Sequence, residues 1–129
     1  MNQAVLYCLA EAAAHHDNSI ELLWFFTMSN HSHYGIFDPD GTYPIFLARF
    51  HKHLAKVLNC HFGRWGSLFE PEQASVVELC DDGAVFDKMI YSLTNAVNDH
   101  LVARAHEWPG FSSLKAQLDD EELVVKRPD

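Results

Sequence analysis

Two histidines one residue apart, His31 and His33, are the side chains whose spacing most directly permits chemistry. On an extended strand alternate side chains share a face, so these imidazoles project to one side, about 7 Å apart along the chain. Held that way they can share one divalent ion, given a third ligand from elsewhere. The spacing alone equally describes two surface histidines on a half-exposed strand. A second His-x-His at His51 and His53 falls in a stretch of helical periodicity, where the two point roughly 200° apart and cannot share a metal.

A third ligand and a nucleophile are offered by a later segment, where the spacing predicts one long helix over residues 84–104. Its expected core stripe is Phe86, Ile90, Leu93, Val97 and Leu101. Tyr91, Asn95 and Asn98 lie on a flank roughly 80–140° from Ile90 on the helical wheel. Tyr91 and Asn95 are i and i+4, so a hydroxyl and an amide oxygen sit side by side. A tyrosine near a metal can attack a phosphodiester and become a covalent phosphotyrosine. The Asn95 oxygen is a hard ligand, suiting Mg²⁺ or Mn²⁺. Set against this, Tyr and Asn beside a core stripe often only bridge to solvent.

The elements that must position these groups are legible on either side. Leu6, Leu9, Ala10 and Ala13 predict a helix over 3–15 that Asn2 can cap, ending in turn residues near His15-His16-Asp17-Asn18. Residues 20–28 and 31–37 read as an antiparallel hairpin turning at Ser29-Asn30, and Asp38-Pro39-Asp40-Gly41 closes it. Thr42 and Pro44 open a helix over about 43–60 with Leu47, Phe50, Leu54, Val57 and Leu58 inward. Residues 61–73 read as irregular. Ser75–Cys80 reads as a short strand, and Leu114–Leu118 as a short helix. Beyond Trp108-Pro109-Gly110 the chain is expected to be mostly loop.

At 129 residues, 48% apolar and 21% charged, the chain is expected to form a single globular domain over 1–129. No apolar run reaches the ~20 residues of a membrane span, which makes the cytoplasm the expected location. Cys8, Cys60 and Cys80 are too scattered for a zinc site or a disulfide framework and read as buried small residues. The formal charge of −9 argues against nucleic-acid binding if evenly spread, but 13 of the 18 acids lie from Glu70 onward. From Gly41 to Phe69 there is no acid, while Arg49, Lys52, Lys56 and Arg64 occur there with three histidines. Such a segment suits a phosphate-binding face, and equally a solvated helix face.

Taken in order, Met28-Ser29-Asn30-His31-Ser32-His33, a basic helix, Tyr91-Ser92-Leu93-Thr94-Asn95-Ala96-Val97 and Trp108-Pro109-Gly110-Phe111-Ser112-Ser113 resemble one family. It is the single-tyrosine HUH transposases, especially the REP-associated tyrosine transposases. Those carry a Met-Pro-Asn-His-x-His-like strand, a Tyr-Ile-x-x-Asn-Pro-Val helix and a Trp-Pro-x-Ser-Ser tail. The likeness spans about residues 5–127, and it lies in the order of three motifs that would each be weak alone.

The resemblance implies an α/β (α+β) domain, ferredoxin-like, with helices on a central antiparallel sheet. It implies cutting and rejoining of single-stranded DNA near hairpins. His31 and His33 match the metal-binding pair, Tyr91 the nucleophile and Asn95 the residue completing a Mg²⁺ or Mn²⁺ site. Arg49, Lys52, Lys56 and Arg64 would follow the DNA backbone. The chain departs from the pattern at Ser32, where an inward apolar residue is usual, and at Ala96 in place of proline. The family's first strand is also missing, and the C-terminus looks cut. The missing strand is expected to leave a sheet edge that a second copy can fill, as a homodimer, or that leaves the domain marginal. A reading from another class is a non-catalytic DNA- or protein-binding domain that keeps the fold.

Overall fold

The computed structural model describes residues 2–15, 19–28, 31–65, 75–121, 123 and 125–127. The chain is mixed α/β: among the described residues there are five α-helices, one 3-10 turn and a two-stranded antiparallel sheet. It divides into two compact units: Met1–Glu21, Phe37–Val76 and Val125–Asp129 form the first, Leu22–Ile36 and Val77–Val124 the second. Among the described residues no helix is long and apolar enough to cross a membrane.

The first unit is built on α1 (Asn2–Ala14) packed on α2 (Tyr43–Phe62). On α1 the buried residues are Cys8, Leu9 and Ala12, a face rotated from the expected Leu6–Ala13 stripe. The rotation brings Glu11 against α2, 2.9 Å from His53 Nδ1 and 3.7 Å from Arg49 Nη1. Asn2 is the first helical residue rather than the cap. On α2, Phe46, Phe50 and Leu54 are buried, with Phe46 and Phe50 stacked at 6.3 Å. Thr42 precedes the helix but makes no side-chain cap. That task falls to Asp38, whose carboxylate accepts from Thr42 N–H at 2.8 Å and Tyr43 N–H at 2.9 Å. A carboxylate at the positive end of a helix satisfies donors that a lone hydroxyl cannot.

The second unit is a hairpin with helices on it. β1 (Glu21–Thr27) and β2 (Ser32–Phe37) are those expected, save that the outermost residues Glu21 and Phe37 belong to the first unit. The expected turn at Ser29-Asn30 lies outside the described residues, but Met28 N–H donates to His31 C=O at 2.8 Å and fixes the register. Counting back by alternation, Phe26 lies opposite His33 and Trp24 opposite Gly35, all on one face. A Cβ on Gly35 would sit 2.3–2.4 Å from three atoms of the buried Trp24 ring. Gly35→Ala is therefore expected to lower stability by about 2–3 kcal/mol, measured by urea unfolding.

The segment after Trp108 is not free loop. Thr27 N–H donates to Phe111 C=O at 2.8 Å and Ser113 N–H to Phe25 C=O at 3.0 Å, with Phe26 bridged antiparallel to Ser112. These bonds cover part of the outer edge of β1, whose pairing groups would otherwise be exposed. Phe111 stacks on Phe25 at 4.2 Å, and Trp108 Nε1 donates to Thr27 C=O at 3.0 Å. α5 (Leu114–Asp119) follows, close to the expected helix.

The long helix expected over 84–104 is broken. α3 (Asp82–Leu93) begins at Asp81, whose carboxylate caps Ala84 N–H at 2.7 Å. It stops at Thr94, whose hydroxyl competes for the Ile90 carbonyl at 2.7 Å. α4 (Asn95–Asn98) is one short turn. His100 then takes the left-handed conformation, and Leu101 N–H closes onto Ala96 C=O at 2.9 Å, a Schellman ending. The core stripe is correspondingly Met89, Leu93 and Ala96 against Phe26, while Phe86, Ile90 and Leu101 are exposed. Ser75–Cys80 forms no strand: its valines are exposed and no strand among the described residues pairs with it, which is what β-propensity needs to act. Cys60 and Cys80 are exposed rather than buried, and only Cys8 is enclosed.

Candidate functional site

The second unit brings together the residues that the sequence singled out around the hairpin. His31 precedes β2 and His33 lies within it, and alternation keeps their rings on one side. The ring centroids are 5.2 Å apart, nearly perpendicular at 85°. Tyr91, near the C-terminal end of α3, meets His33 edge-on with centroids 6.3 Å apart. The Lys88 ammonium lies 4.8 Å from the Tyr91 ring centroid, one turn back on the same helix.

Asn95 does not share Tyr91's exposed flank. The break at Thr94 places it in the buried layer at 6% exposure, while Tyr91 remains 50% exposed. Its Oδ1 is buried and has no hydrogen-bond partner among the described residues. The same is true of His33 Nε2. Two of the three expected ligand atoms are thus enclosed and unsatisfied. Buried polar atoms are normally paired, so each such atom asks for an explanation.

Burial, chiefly, and then the charges of His31 and Lys88 lower the pKa of His33 below the ordinary histidine value of about 6.5. The imidazole is therefore neutral at pH 7, the form that offers a lone pair to a metal. A depressed folded pKa means the unfolded chain binds the extra proton first. Stability from His33 is present above about pH 6.5 and declines as pH falls toward the folded value. Burial lowers His51 in the same direction. Thermal midpoints should fall between pH 7 and 5.5, and His33→Gln should flatten that slope.

Ser32, between the histidines, is exposed, so its hydroxyl faces away from the pair and needs no buried partner. Ala96 occupies the first turn of α4 and is enclosed with Phe26 and Leu93. At that position proline and alanine suit the same helical backbone.

Arg49, Lys52 and Lys56 stand on α2, with Arg64 just beyond it, all in the first unit. Lys52 and Lys56 are exposed, whereas Arg49 is drawn to Glu11. Pairing Arg49 with an acid on α1 was not legible, because the sequence does not say which face of α1 meets α2. Lys88 was also missed; its signal was its position three residues before Tyr91. Among the described residues no three His, Cys, Asp or Glu side chains cluster as metal ligands, so a metal site here depends on the asparagine. Compared with protein-family models, with curated proteins and with solved structures, the chain matches none.

Proposed function

We propose that the chain is a divalent-metal-dependent endonuclease of the single-tyrosine transposase type, with a ferredoxin-like ancestry, that cuts and rejoins single-stranded DNA near hairpins. The observation that carries this reading is that His33 Nε2 and Asn95 Oδ1 are both buried with no hydrogen-bond partner among the described residues, while the His31 and Tyr91 rings flank His33. Leaving such atoms unsatisfied costs about 1–3 kcal/mol each, a cost that a ligand would offset. Neutral imidazole with a hard amide oxygen is a donor set that Mg²⁺ or Mn²⁺ accepts. His31, His33 and Asn95 would hold the ion.

Bound there, the ion would polarise the scissile phosphate and neutralise its charge. The Tyr91 oxygen attacks phosphorus while its proton leaves to water. The phosphorus–oxygen bond to the 3′ side breaks, and that oxygen leaves as a hydroxyl, with Tyr91 esterified to the 5′ phosphate. The new ester conserves the energy of the diester, so rejoining needs no nucleotide cofactor. Tyr91's exposure lets a strand reach it, and Lys88 sets a positive charge where the phosphate enters. Arg49, Lys52, Lys56 and Arg64 are the backbone contacts in this reading, the location is cytoplasmic, and a homodimer would pair exposed sheet edge.

Incubating the full chain with hairpin-bearing single-stranded DNA and Mn²⁺, then running a denaturing gel, tests it. A protein–DNA adduct that survives denaturation is expected. No adduct, together with no Mn²⁺ binding that depends on His31 and His33, would instead support a non-catalytic DNA- or protein-binding domain.

A further inference from the structure

We infer that the C-terminal end of α2 is a stacking platform for single-stranded nucleic acid; this rests on the proposed function, whose backbone contacts include Lys56 and Arg64, and adds base-stacking rings beside them. Two aromatic rings stand in solvent there, Phe62 at 57% and Trp65 at 98% exposure. A tryptophan so exposed presents a large apolar face that none of the described residues covers. Each ring keeps company with cations. The Arg64 guanidinium lies 5.6 Å from the Phe62 centroid, and Lys56, Asn59, Arg64 and Trp65 line a groove of about 500 Å³.

The backbone fixes this arrangement. Gly63 takes φ 62°, the left-handed conformation that ends the helix, and Arg64 N–H donates to Asn59 C=O at 2.9 Å. The order Phe62-Gly63-Arg64-Trp65 thereby interleaves aromatic and cationic groups. No acid occurs from Gly41 to Phe69, so the local charge suits a polyanion despite the net charge of −9.

Flat rings accept any base face, and the cations meet the phosphates between bases. A duplex hides its base faces in the stack, which is why the fitting ligand is single-stranded. An anionic lipid surface would call for apolar side chains on one face and cations around it. Here a guanidinium lies against the Phe62 ring, and the polar Asn59 lines the groove. That favours a base over an acyl chain.

The test uses the full chain, a labelled 12-residue oligothymidylate, low salt and EDTA, read by fluorescence anisotropy. Without divalent metal the Tyr91 reaction is silent, so failure here and failure of the adduct assay are separate results. Binding in the micromolar range is expected, weakened about tenfold by Trp65→Ala and similarly by Phe62→Ala. Arg64→Gln should reduce the salt-dependence slope by about one. Circular dichroism checks that each variant folds. The proposal is overturned if the wild type does not bind, or if Trp65→Ala binds as well as wild type. Equal binding of a duplex, or tighter binding of phosphatidylserine vesicles at equal phosphate concentration, overturns it too.

Discussion

Tyr91→Phe is expected to abolish the covalent DNA adduct while leaving the fold and Mn²⁺ binding in place. The substitution removes one oxygen from a half-exposed ring, so the edge-on contact with His33 and the approach of Lys88 keep their geometry. Without the hydroxyl no ester to phosphorus can form, and the loss should be complete rather than graded. An adduct persisting in Tyr91→Phe would assign the nucleophile to another residue. Tyr34 serves as the internal comparison. Burial raises its pKa, and its hydroxyl is enclosed near Ser32 and Thr27, so Tyr34→Phe should leave the adduct yield unchanged.

The largest expected loss of stability comes from Phe26→Ala. Phe26 is 1% exposed and is the centre of the cluster with Leu93 and Ala96, with Met28, Met89, Val102, Trp108 and Leu114 around it. Removing a buried phenyl ring costs about 3–5 kcal/mol, against a total of roughly 5–15 kcal/mol for a domain. The cavity would open directly opposite His33, so metal affinity should fall along with stability. Chemical denaturation would reveal the first effect; a loss under 1 kcal/mol would contradict the packing described.

Much of the site was legible because strand alternation is a strict rule. Once residues 31–37 are extended, His31 and His33 share a face whatever surrounds them, and their rings do approach to 5.2 Å. The hairpin, α2 and α5 were similarly readable from local pattern. Helix rotation was not. On α3 the apolar positions Phe86, Ile90 and Leu93 define one stripe, and Met89, Leu93 and Ala96 another. Only the shape of Phe26 and its neighbours decides between them. The break at Thr94 was also hidden, since a threonine's bond to the carbonyl four residues back is one of several choices open to it.

That break has a consequence for chemistry. Had the helix run on with Ile90 inward, Asn95 would have flanked the core with its amide reaching water. Instead the oxygen is enclosed with no hydrogen-bond partner among the described residues. The covering of β1 by residues 111–113 was equally invisible from spacing, because it depends on a pairing some eighty residues apart in sequence. Trp108 and Ser113 hold it, one through its indole and the other through a hydroxyl that accepts from Phe25 N–H at 3.0 Å.

The central claim is that His31, His33 and Asn95 form one metal site, and Mn²⁺ titration followed by electron paramagnetic resonance addresses it most directly. Wild type and Tyr91→Phe should each bind one ion. His31→Ala and His33→Ala should lose affinity by more than the roughly 10–100-fold typical of removing a group that only supports a ligand. Asn95→Ala should weaken binding while leaving the metal-free thermal midpoint equal or higher, because it deletes a buried oxygen with no partner among the described residues. Wild type that binds no Mn²⁺, or a His31→Ala/His33→Ala double variant that binds it as tightly, would contradict the account.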